Sequence, residues 1–134
     1  MYKFSITMPG ALDDNENAVI QALKAEGFGV LTEIDIKETL KKKLGVEKRP
    51  YKILGACNPP LANQALDAEP DIGLLLPCNV VLRETEAGDT IVAFMDPAAV
   101  LTLVDRDDVA TLANEVKQRL QRVSAALEKQ SASV

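Results

Sequence analysis

The chain opens "MYKFSITM", in which Tyr2, Phe4, Ile6 and Met8 alternate with Lys3, Ser5 and Thr7. A period of two sends the two sets to opposite faces, so the segment reads as a half-buried strand with one solvated side. Pro9-Gly10 stops it. The period then lengthens. "DDNENAVIQALKAEG" puts Val19, Ile20 and Leu23 on one helical face, sets Asp13 and Glu16 at capping-box spacing, and ends at Gly27, which predicts a left-handed stop. "FGVLTEIDI" is rich in β-branched residues and predicts a second strand. "KETLKKKLG" predicts a short charged helix closing at Gly45, and "PYKILGAC" a third strand entered at Pro50, where a proline does least harm.

"NPPLANQALDAEP" carries a strong helix signal, with Asn58 as N-cap, Pro59 at the first helical position and Pro70 just beyond the end. "IGLLLPCNVVLRE" and "TIVAFMD" read as a hairpin joined by "TEAGD", with Gly88 supplying the bend. Asp96-Pro97 begins a short helical stretch through Val104. The last segment, "DDVATLANEVKQRLQRVSAALEKQ", repeats Val109, Leu112, Val116, Leu120, Val123 and Leu127 at helical spacing, one continuous apolar stripe. The order β-α-β-α-β-α-β-β-α predicts a single two-layer α+β domain over residues 1–130, with a frayed tail at 131–134. Its sheet is expected to be mixed, of about five strands, with the helices on one face. A doubly wound parallel sheet fits less well, because the final hairpin is antiparallel and the first strand alternates too strictly.

Bulk properties narrow the functional classes. The 134 residues are 47% hydrophobic and 26% charged, the make-up of a globular domain, and a chain of this length buries roughly two-thirds of its unfolded surface. A net charge of −5 and 4% aromatics give no electrostatic or stacking reason to seek nucleic acid or anionic lipid. The N-terminus lacks the pattern of a signal peptide, and "GLLLP" and "AAVLTLV" fall far short of the ~20 residues that cross a bilayer. Two cysteines are not a disulfide scaffold. A cytoplasmic protein with reduced thiols, no membrane contact and no nucleic-acid partner is expected.

The chain's two cysteines, Cys57 and Cys78, are each followed by an asparagine, Asn58 and Asn79, and each lies close to proline: Pro59 beyond Asn58, Pro77 directly before Cys78. Cys57 ends the third strand one residue outside a helix N-terminus, a place that favours a thiolate. Pro59 and Pro60 lack N–H groups and Asn58 occupies a third donor, so strong activation there is not expected. Cys78 falls on the more apolar face of its strand, where a free cysteine behaves as a small hydrophobe. Pro77 removes one ladder hydrogen bond and marks a bulge or an edge. Three readings stay open: two structural thiols, a ligand-binding or reactive thiol, and a disulfide or metal pair. Parallel pairing of the third and fourth strands would bring the sulfurs together.

Other chemistry is thin. With no histidine, Ser-His-Asp and Cys-His catalysis and imidazole metal sites are excluded. "GFG" lacks the further glycines of a phosphate loop and leads into a strand. Glu33, Asp35, Glu38, Glu84, Glu86, Asp89 and Asp96 read as turn and cap residues. Lys41, Lys42, Lys43, Lys48 and Arg49 form a basic patch that reads as a solvated helix face, helped by Glu38 and Lys42 at i,i+4.

"ILGACNPPLA" and "IGLLLPCNVV", with "EIDIKETLKKKLG" before them and "MDP" after them, resemble the domain of unknown function 302 family of bacteria and archaea, over nearly the whole chain. The resemblance implies a compact α+β fold of the TATA-binding-protein-like or helix-grip type, a homodimer, and no particular activity. Two expectations follow from the residues and the resemblance together. One is a small-ligand binding module, suited to a polar ligand, a soft metal or a sulfur species, built on Cys57, Asn58, Cys78 and Asn79 with Asp35 and Asp96 nearby. Any metal would rest on Cys57 and Cys78, and no cofactor is expected. The other is a homodimeric interaction protein without chemistry. A thiol-dependent redox protein ranks behind both, since no general base accompanies the cysteines, and binding is a better reading than catalysis.

Overall fold

Residues 1–132 are described in a computed structural model. Five strands, β1 (Lys3–Met8), β2 (Gly29–Asp35), β3 (Tyr51–Cys57), β4 (Cys78–Glu84) and β5 (Thr90–Met95), form one sheet in the order β1-β5-β4-β3-β2. Five helices join or follow them: α1 (Leu12–Ala25), α2 (Ile36–Leu44), α3 (Pro59–Ala68), α4 (Pro97–Val100) and α5 (Asp107–Ala132). The α+β architecture, the strand number and the order of elements agree with the hydrophobic pattern.

The sheet differs from expectation in one respect. All of its pairings are antiparallel, where a mixed sheet was predicted. A parallel return from β3 to β4 would have to run the length of the sheet over a face already covered by α1 and α5. The intervening residues instead fold at the strand ends, as α3 and a 3₁₀ turn over Pro70–Leu75. That turn is a second difference, since "IGLLL" reads as the start of a strand. Pro70 opens it, the Glu69 carboxylate accepts the Asp71 N–H at 3.2 Å, and the ladder has no position for it, because Ala56 of β3 already pairs with Cys78. Ser131 and Ala132, placed in a frayed tail by the sequence, belong to α5, and positions 133 and 134 of that tail lie outside the described residues.

The core face carries Ile6 and Met8, Val92 and Phe94, Val80 and Leu82, and Leu54 and Ala56, all buried by the alternation that the sequence shows. Phe4 and Phe94, register partners, stack with ring centroids 5.2 Å apart. Leu12, Val19 and Leu23 of α1 and Leu120, Val123 and Leu127 of α5 close this layer. A second, smaller cluster gathers Ala65, Ile72, Leu101, Val109 and Ala113 under α3 and the N-terminal half of α5.

Helix α1 begins at Leu12 without the expected Asp13/Glu16 box, and Ala11 at its N-cap offers no side-chain acceptor. The Leu12 N–H donates instead to Glu84 Oε1 at 2.7 Å, from the end of β4. Glu16 is thereby left for Lys52: its carboxylate lies 3.0 Å from Lys52 Nζ, which also reaches Glu33 at 2.9 Å. One half-buried lysine thus ties α1, β2 and β3 together.

Candidate functional site

The two hydrophobic clusters do not merge. Between them lies a cavity of about 290 Å³. The sheet contributes Ala56, Cys57 and Cys78 at the β3–β4 end, with Phe28 and Leu31 beside them. Helix α3 contributes Leu61, Ala62, Ala65 and Leu66, and α5 contributes Leu112 and Val116. Small side chains explain the space: Ala56, Ala62, Ala65 and Gly73 stand where larger residues would have joined the clusters.

Antiparallel pairing, not the parallel pairing considered from sequence, brings both cysteines to one cavity. Cys57 is the last residue of β3 and Cys78 the first of β4, so a hairpin-like register sets them side by side, Ala56 facing Cys78. Both are free thiols; Cys57 is half-buried and Cys78 buried. Burial, and after it the neighbouring Cys57, push the Cys78 thiol up to about 11. A thiol so placed is a poor nucleophile and a poor metal ligand, since both tasks need the thiolate. Among the described residues no group of three or more Cys, Asp or Glu lies close enough to hold a metal ion, and no carboxylate or amine lines the cavity. The donor set, two sulfurs and an amide, gives no support to a metal centre or to base-assisted thiol chemistry.

Asn58 joins the site as the sequence suggests. Its Oδ1 accepts the Leu61 N–H at 3.3 Å, capping α3, and the residue is buried. Its amide packs over Gly27, whose φ of 87° favours glycine and where a Cβ would lie 2.9 Å from Asn58 Nδ2. Gly55 has a similar role: a Cβ there would collide with the Thr32 hydroxyl and come within 2.8 Å of Pro77 Cγ. The bare backbone lets Pro77 approach and sets where Cys78 begins its strand.

The remaining predicted site residues are not brought to the cavity. Asn79 pairs with Gly55 and, by strand alternation, faces a trough on the opposite side of the sheet with Val81 and Arg83. Asp35 lies at the far end of β2, where it accepts the Glu38 N–H at 2.9 Å as the N-cap of α2. Asp96 caps α4 by accepting the Ala98 N–H at 2.9 Å, and it pairs with Lys117 at 3.1 Å. Asp35 and Asp96 have structural partners elsewhere, and Asn79 lies on the other face. The basic patch is solvated, with Lys41 on Glu47 and Lys42 on Glu38 in exposed pairs. Leu31, Ala62, Ala65, Leu112 and Val116 were not singled out as site residues from sequence. For Ala62 and Ala65 the signal available in the sequence is the alanine-rich face of α3, while Leu112 and Val116 belong to the α5 stripe that reads simply as core.

Fold and site together define a two-layer α+β domain with an apolar, thiol-walled cavity at the end of an antiparallel sheet. The chain belongs to the family Domain of unknown function DUF302, whose model matches residues 4–127. It is similar to an uncharacterized conserved DUF302 protein from Bacillus stearothermophilus, known from a crystal structure. The two are 25% identical, with a TM-score of 0.86 over 93% of this chain and 97% of that one. None of the curated proteins matches.

Proposed function

We propose that this chain is a small-ligand binding module and that its site is the cavity walled by Cys57, Asn58 and Cys78. The observation that carries the reading is the meeting of both Cys-Asn corners, through Cys57, Asn58 and Cys78, at one concave space of about 290 Å³. A well-formed apolar cavity with a few polar groups at one wall is the usual form of a small-molecule site. Native mass spectrometry of gently purified protein tests it, with Ala65→Phe and Leu112→Trp as two independent ways to fill the space. A retained or added small mass on the wild type that is lost from both variants supports the module. A mass held equally by all three proteins overturns it.

A second reading rests on the trough across the opposite sheet face. An uncovered antiparallel face ordinarily alternates toward polar residues, but here Ile53, Val81, Ile91, Ala93 and Met95 share it with Lys3, Ser5, Thr7, Asn79 and Arg83. A second copy of the chain, related by a two-fold axis, would match this apolar strip with itself. Val81→Asp then converts a dimer to a monomer in light scattering; a wild-type monomer at all concentrations refutes the reading.

A further inference from the structure

On the reading of the cavity as a binding site, we propose that its ligand is an uncharged, hydrocarbon-rich small molecule entering past a rim of exposed leucines. The wall offers no counter-charge. Among the described residues no carboxylate, amine or guanidinium lines it, and the acceptor oxygen of Asn58, the one side-chain amide they supply, is already engaged by Leu61 N–H. A buried charge without a counter-ion is strongly disfavoured, and the neutral form of the deep thiol adds none. The nearest arginine on α5, Arg119, spends its guanidinium on Glu115 at 3.1 Å and on the Glu26 carbonyl at 3.2 Å.

The mouth agrees with the interior. Leu31, 66% exposed, and Leu66, 42% exposed, line the cavity and reach solvent. Leu74 stands 87% exposed one residue from the lining Gly73. Leu31 is held outward by an irregularity of the β2–β3 ladder between Val30 and Thr32, which gives β2 one extra residue at the rim. A continuous apolar path from surface to thiol wall favours a molecule that sheds little hydration on entry. At roughly 30 Å³ for a water-sized group, the space holds about ten such groups, the size of a medium-chain alcohol. Its single polar group would lie against Cys57 and Asn58.

Saturation-transfer NMR with n-octanol and with octanoate, at neutral pH, separates the possibilities, because the two probes share a chain and differ in charge. We expect n-octanol to bind at least tenfold more tightly than octanoate, and its signal to disappear with Ala65→Phe and with Leu112→Trp. Octanoate binding as tightly as n-octanol, yet lost from both variants, overturns the ligand class and leaves the site in place. Octanol signal unchanged in both folded variants overturns the site as well. Failure of both probes to bind overturns the ligand class, while the mass measurement on the retained ligand still decides the site.

Discussion

Ala56 and Cys78 face one another in the β3–β4 ladder, and this single register brings Cys57 and Cys78, twenty-odd positions apart in sequence, to the same end of the sheet and the same cavity. The two thiols occupy unlike surroundings. Cys57 is half-buried at the end of its strand, and Cys78 is buried with its thiol raised to about 11. At pH 8 the thiolate fraction of Cys78 is then about one-hundredth of that of a thiol at the ordinary value of 9.0. Iodoacetamide labelling followed by peptide mapping is expected to modify Cys57 first and Cys78 at least tenfold more slowly. Equal rates would show that the deep thiol is not shielded.

Gly55 makes a second prediction. Gly55→Ala places a methyl against the Thr32 hydroxyl and within 2.8 Å of the Pro77 ring, and is expected to cost about 1–3 kcal/mol by overpacking. The double substitution with Thr32→Ala relieves one of the two clashes and restores part of the loss. Urea denaturation midpoints of the two variants decide the point.

Lys52 makes a prediction with a pH sign. Hydrogen bonding to Lys52 holds the Glu33 carboxyl below its ordinary value of 4.5, and Glu33 and Glu16 in turn raise Lys52. A depressed carboxyl supplies stability that is complete above the unfolded value and vanishes as pH falls through the folded one. Lys52→Met is expected to cost roughly 1–2 kcal/mol at pH 7, discounted from the deeply buried case because Glu33 is 46% exposed. That deficit should shrink as pH falls below 4.5, toward pH 3. Urea titrations of both proteins at the two pH values read the difference directly.

Glu84 predicts a long-range capping effect. Its carboxylate accepts the first free N–H of α1 at 2.7 Å, so Glu84→Ala is expected to destabilise by about 1–2 kcal/mol. Hydrogen exchange should quicken in the first turn of α1 while β4 itself keeps its protection. Uniform acceleration would mean that the carboxylate acts on the strand instead.

The elements most legible in the sequence were those with local causes. The β1 alternation, the Asn58-Pro59 start of α3, the glycine stops at Gly27 and Gly45 and the long α5 stripe all follow from neighbours a few residues apart. What escaped was set by distant partners. "IGLLL" has the composition of a strand, but pairing of Ala56 with Cys78 leaves it no place in the ladder. Asp13 and Glu16 have the spacing of a cap, but Glu84 and Lys52 take over the contacts. At the site, a strand end explained Cys57, whereas Cys78, read as lying within its strand, begins β4; Asn79 was grouped with them as its neighbour, and Asp35 and Asp96 by chemical type alone. The cavity itself belongs to the gap between two clusters, which no single segment encodes.

Helix α5 runs for 26 residues across both of those clusters, with Val109 and Ala113 in one and Leu120, Val123 and Leu127 in the other. It acts as a rigid beam shared by two rooms, and an unkinked helix does not fold to widen the gap between them. The opposite wall, from Pro59 to Leu75, packs on that same beam, because Ala65 and Ile72 share a cluster with Val109 and Ala113. One helix thus carries the packing of both rooms, so a loss of its register would disturb the two together.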